Sequence, residues 1–154
     1  MARSFSRTGG WSESVDKDAF RSGLEVTIAT QMNNAGIPYR YEQDTISYTI
    51  PVSKHTYNPD FILPNGIIVE GKGLFDIIDR KKHMLIKDQY PHLDIRFVFS
   101  SPTTKLYKGS KTTYAMWCEK YGFKYAKKLI PVEWFKESAK DTSGLVPKKM
   151  KGEK

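Results

Sequence analysis

One cysteine, Cys118, stands among 154 residues, so no disulfide can form within the chain. A reducing, cytoplasmic setting is the expectation that follows. Only three histidines accompany it, and the four residues have no spacing suited to zinc. No apolar run approaches the ~18 residues of a membrane span, and the opening MARSFSRTGGW lacks an apolar signal core. Neither G-x-G-x-x-G nor G-x-x-x-x-G-K-[ST] occurs. The E-G-K-G at 70–73 lacks the earlier glycine of the second motif, so the glycine-rich nucleotide cradles are excluded. There is no internal repeat and no interdomain linker.

What is present is basic and globular. An apolar fraction of 39% with 13% aromatics is enough for one domain with a real core. The net charge is +8, and it is unevenly placed. Between Gly71 and Lys128 thirteen Lys and Arg face five Asp and Glu, which equals the whole excess, while the first seventy residues are slightly acidic. A basic body around a local acidic spot suits an enzyme acting on nucleic acid: the field draws phosphates in and carboxylates hold metal.

Periodicity divides the chain. Residues 1–17 are polar and Gly/Ser-rich, and read as a flexible arm in which Arg3 and Arg7 could touch DNA. Phe20, Leu24, Ile28 and Met32 recur every fourth residue, which predicts a helix over 18–35, capped by Asp16 or Asp18 and closed at Gly36. Glu25 lies beside that stripe, at the margin of its buried face. Residues 39–53 read as extended, with Pro51 marking an edge or a crossing between bodies. A helix over 75–89, a strand over 94–100, a helix over 111–121, a strand over 123–130 and a short helix over 131–137 follow. Tyr107, Trp117 and Trp134 are expected in the core, Cys118 buried and inert, and His83 on the surface. Residues 138–154 read as a disordered basic tail. The order implies one nuclease domain over 18–137, α+β in class, with a mixed central sheet flanked by helices.

The chemistry concentrates in HTYNPDFILPNGIIVEGKG, residues 55–73. Two apolar strands flank Pro64–Asn65–Gly66. With a three-residue loop, Phe61 faces Val69 and Leu63 faces Ile67 on one side, and Asp60 faces Glu70 and Ile62 faces Ile68 on the other. A two-residue loop would mix the faces, so the first register is the expected one. Side chains alternate, so Lys72 shares the face of Glu70. Two facing carboxylates resist joint ionisation unless a cation lies between them. Oxygen ligands suit Mg²⁺ or Mn²⁺. A second ion would need another carboxylate, with Glu25 and Glu42 as candidates. Taken singly, an Asp before a strand is an ordinary turn former, and Glu and Lys at i and i+2 are an ordinary solvated face. Their joint spacing in an apolar hairpin favours a site.

Pro59–Asp60, Glu70 and Lys72 resemble the PD-(D/E)xK nuclease signature. FRSGLE (20–25), residues 55–73, DRKKHMLIKDQYPHLDIRFVFSS (79–101), TKLYKGS (104–110) and KLIPVEWFKE (128–137) resemble the bacteriophage endonuclease I family of Holliday junction resolvases. The resemblance implies a restriction-endonuclease-like fold, with Glu25, Asp60, Glu70 and Lys72 catalytic and the three carboxylates on the metal. It also implies a homodimer exchanging strands through residues 39–53, so that Glu25 reaches the other three from the partner subunit. The implied activity is Mg²⁺-dependent cleavage of branched DNA, with Mn²⁺ as substitute, by paired nicks across four-way junctions in the host cytoplasm. One departure is visible: a further family carboxylate falls on Arg40, with Glu42 two residues away. Arg80, Lys81, Lys82, Lys105 and Lys108 are then expected to contact phosphates without reading bases. A sequence-specific restriction-type nuclease, or a catalytically silent DNA-binding protein using the basic face alone, are the alternatives.

Overall fold

The computed structural model describes residues 20–50 and 53–148. Its elements in chain order are α1 (Gly23–Ala35), β1 (Arg40–Tyr41), β2 (Asp44–Ile50), β3 (Ser53–Tyr57), β4 (Phe61–Ile62), β5 (Ile68–Lys72), α2 (Ile77–Gln89), β6 (Ile95–Phe99), α3 (Tyr114–Tyr121), β7 (Tyr125–Lys127), α4 (Val132–Phe135) and β8 (Leu145–Pro147). The fold is α+β. A five-stranded sheet runs β1-β4-β5-β6-β7 and a three-stranded one runs β3-β2-β8. The larger sheet is mixed: β1, β4 and β5 are antiparallel neighbours, whereas β5, β6 and β7 are parallel. The parallel pairs are joined by α2 and α3, since parallel neighbours need a long crossover.

The central hairpin has the register its apolar residues dictate. Phe61 lies opposite Val69 and Ile62 opposite Ile68. The Leu63 amide donates to Ile67 O, and Gly66 turns the chain with φ +90. Its two faces feed two separate cores. Phe61, Leu63, Ile67 and Val69 pack with Ile28, Ala29 and Met32 of α1 and Trp134 of α4. Ile62 and Ile68 pack on the other side with Ile86 of α2 and Trp117 and Cys118 of α3. There Phe75 sits 4.9–5.7 Å from the rings of Phe97, Phe99, Tyr114 and Trp117. Each such ring, fully buried, contributes about 1.5–3 kcal/mol.

Several expectations are corrected. The first helix begins at Gly23, capped by Ser22, whose Oγ accepts from the Glu25 amide at 3.1 Å, and Phe20 precedes it. Strand β6 is buried on both faces because helices cover the sheet on both sides. Helix α2 buries Arg80, His83 and Ile86, leaving Ile77 and Ile78 exposed. Tyr107 is 66% exposed and not core. The expected disordered tail over 138–154 is ordered through residue 148, where β8 pairs antiparallel with β2, Asp44 opposite Pro147. The segment leading to it is held from beneath. Arg96, wholly buried, donates to Asp94 and Glu137 at 2.7–2.8 Å. Lys140 Nζ donates to Glu137 at 3.0 Å. The arm with Arg3 and Arg7, residues 51–52 and residues 149–154 lie outside the described residues. No helix among the described residues is long and apolar enough to cross a membrane.

Candidate active site

The open end of the β4–β5 hairpin forms one wall of a pocket lined by Glu25, Glu42, Tyr57, Asp60, Glu70 and Lys72, with Arg21 and Lys82 at its edge. Four short-range features place these groups. Asp60 immediately precedes β4, and its Oδ2 accepts from the Gly71 amide at 3.0 Å. Glu70 and Lys72 project from β5 to the same side, with Lys72 Nζ 3.9 Å from Glu70 Oε1. Glu25 comes from the first turn of α1, where its Oε1 accepts from the Arg21 amide at 2.7 Å and the Tyr41 hydroxyl at 3.2 Å. Glu42 follows β1 with φ +53, a left-handed conformation that side chains rarely adopt. Its own amide donates to Asp60 O at 3.2 Å, and Arg21 Nε lies 3.2 Å from its Oε2.

Carboxylate oxygens of Glu25, Glu42 and Asp60 all lie within 4.8 Å of one another. Burial pushes the Asp60 carboxyl up to about 9, and the negative charges of Glu70 and Glu25 push the same way. Burial also raises Glu70, partly offset by Lys72 and by hydrogen bonds from Tyr57 and the Asp60 amide. Burial works against the Lys72 ammonium, but Glu70 and Asp79 outweigh it and raise its pKa. The pocket is therefore short of positive charge. Its donors are all oxygens, which suits a hard divalent cation such as Mg²⁺ or Mn²⁺ and disfavours zinc. Within a single chain, Glu25, Asp60, Glu70 and Lys72 already meet.

The residues expected to touch phosphates separate. Lys81, Lys105 and Lys108 are exposed, and Lys82 sits at the pocket edge, 3.8 Å from Asp79. Arg80 does not join them: it is buried, and its Nη1 donates to Phe75 O at 2.7 Å. His83 is also buried, against the rings of Tyr57 and Phe97, and burial followed by Lys82 and Lys72 lowers its pKa far below the ordinary value. Arg40 is turned to Asp44, whose Oδ2 accepts from its Nε at 2.7 Å, so the carboxylate in the pocket is that of Glu42. Two side chains escaped the sequence reading. Tyr57 donates to Glu70 Oε2 at 2.6 Å, and Asp79 Oδ1 lies 3.3 Å from Lys72 Nζ. Tyr57 stands three residues before Asp60, and that proximity was its only signal.

Hard oxygen donors crowded beside a fixed ammonium are suited to phosphodiester hydrolysis, and thus to a nuclease. Residues 7–154 match the family described as phage endonuclease I, and the chain belongs to that endonuclease family. It is 59% identical over 123 residues to Endonuclease I of Escherichia phage T7, covering 80% of this chain and 83% of that one. It is 58% identical over 123 residues to Endodeoxyribonuclease 1 of Enterobacteria phage T3, covering 80% and 81%.

Proposed function

We propose that this protein is a Mg²⁺-dependent, structure-selective DNA endonuclease. It resolves four-way junctions and other branched DNA by hydrolysing phosphodiesters in paired nicks, and it works as a homodimer by strand exchange. The observation that carries the reading is the meeting of Glu25, Glu42 and Asp60 within 4.8 Å at the hairpin that presents Glu70 and Lys72. Asp60, Glu70 and Glu25 supply the oxygens that hold the cation, with Glu42 in reach. When bound, the divalent cation polarises the scissile phosphodiester and acidifies water. Lys72 sets an ammonium beside the phosphate, where negative charge builds up in the transition state. Exposed Lys81, Lys105 and Lys108, with Lys82 at the pocket edge, hold DNA arms through phosphates.

Exchange is supported by where the site divides along the chain. Glu25 lies before the 39–53 segment, Glu42 within it, and Asp60, Glu70 and Lys72 after it. Exchange across that segment lets the part before it in one chain make the same contacts on a second copy, at little cost. The contacts within one chain and those of an exchanged pair are then alike.

The test is nicking of a synthetic four-way junction by the full chain. Wild type should nick opposing arms in Mg²⁺, across unrelated sequences, and be silent in EDTA. Glu70→Gln should bind the junction with nicking down by at least ~10²-fold. Cleavage at a fixed sequence in linear duplex would instead make it a restriction-type nuclease. Binding without cleavage in either Mg²⁺ or Mn²⁺ would make it a DNA-binding protein.

A further inference from the structure

Glu70 is held asymmetrically. Its Oε2 accepts two hydrogen bonds, from the Tyr57 hydroxyl at 2.6 Å and the Asp60 amide at 3.3 Å. Its Oε1 lies on the Lys72 side, 3.9 Å from Nζ. The terminal torsion of a glutamate is broad and nearly two-fold, so an unheld carboxylate turns easily. Tyr57 itself has little freedom. It is 2% exposed, ends β3 opposite Ile46 of β2, and meets the His83 ring edge-on at 4.9 Å. Its ring also carries the Lys82 ammonium at 5.3 Å.

We infer that Tyr57 is the positioning residue for Glu70: its hydroxyl fixes Oε2 so that Oε1 is presented to the divalent cation. This rests on the metal-dependent nuclease reading. Tyr57 touches neither DNA nor the cation and acts through the carboxylate it orients. Partners that orient a ligand in this way typically contribute 10–100-fold to metal affinity or activity. Because Tyr57 belongs to the β3 strand, the readiness of the site depends on that strand lying against the main sheet.

Tyr57→Phe removes one oxygen and keeps the ring. The Mg²⁺ concentration for half-maximal junction nicking should rise about tenfold, with the rate at saturating Mg²⁺ within about threefold of wild type. Calorimetric titration of the DNA-free protein with Mn²⁺ should weaken by a similar factor. A merely structural tyrosine would lower the melting temperature and the active fraction and leave both metal titrations unmoved. Added to Glu70→Gln, Tyr57→Phe should weaken Mn²⁺ binding no further; additive losses would show that it acts elsewhere. Wild type that binds Mn²⁺ and nicks, beside a variant with unchanged titrations, overturns this inference alone. Wild type that does neither overturns the nuclease reading and this inference with it.

Discussion

Asp60 and Gly71 are tied across the open end of the hairpin, Oδ2 of the first accepting the amide of the second at 3.0 Å. The bond fixes a carboxylate where Glu70 and Glu25 oppose its ionisation. It also couples the position of Asp60 to the strand that carries Glu70 and Lys72.

Asp60→Asn should stabilise the metal-free protein. In the folded chain the carboxyl is held up to about 9, against 3.8 ordinarily. The unfolded chain releases this proton near pH 4 and the folded chain keeps it, so this group's contribution to stability falls as pH rises from about 4 to about 9. The slope is at most ~1.4 kcal/mol per pH unit. Asparagine can keep the bond to Gly71 and has no proton to lose. In EDTA at pH 7.5 the variant should melt at least about 3 °C above wild type, with the gap widening from pH 5 to 8. Mg²⁺ should raise the wild-type melting temperature more than the variant's. A variant that melts below wild type in EDTA at pH 8 would refute the charge crowding.

Glu25→Gln and Glu70→Gln subunits, each inactive alone, should complement when unfolded and refolded together. In an exchanged heterodimer one site receives both altered residues and the other receives neither. Half the dimers carry one intact site, so nicking should return to roughly a quarter of wild type. If every mixture stays inactive, Glu25 serves its own chain, as it does in the closed arrangement.

Replacing Lys81, Lys105 and Lys108 by Gln should weaken junction binding alike for unrelated sequences. The slope of log binding constant against log salt should fall by about 1 for each phosphate that is no longer neutralised, up to about 3. Arg80→Gln should leave that slope unchanged and lower the melting temperature, since its guanidinium is spent on Phe75 O. An unchanged slope in the triple variant would remove these lysines from the DNA surface.

The hairpin was legible because only one register pairs apolar with apolar and leaves Asp60 and Glu70 together; both faces then found a core. Glu25 was less so. The apparent stripe began at Phe20, but Ser22 starts the helix, and its buried face is Glu25, Ile28, Ala29 and Met32. With the helix phased that way Glu25 belongs to the face itself. Arg80 was expected to contact phosphates and His83 to lie on the surface, yet α2 is phased by Ile86, which carries both inward. Tyr107 looked like core and is exposed, since it lies in a loop that no element among the described residues covers. Strand β8 has three residues and a weak pattern, and its pairing with β2 is a long-range event that local sequence does not encode. Glu42 needed a left-handed backbone to reach the pocket, a conformation that composition does not announce.

The tip of the hairpin is fastened by the end of the chain. Asn65 Nδ2 donates to the carbonyls of Trp134 and Glu137, and the Lys140 amide donates to Asn65 O at 2.8 Å. None of these bonds can form until residues 134–140 have left the ribosome. The turn of the hairpin is thus fastened only once the 134–140 segment has been made, so a chain cut short before that segment keeps the β4–β5 strands but leaves their turn unfastened.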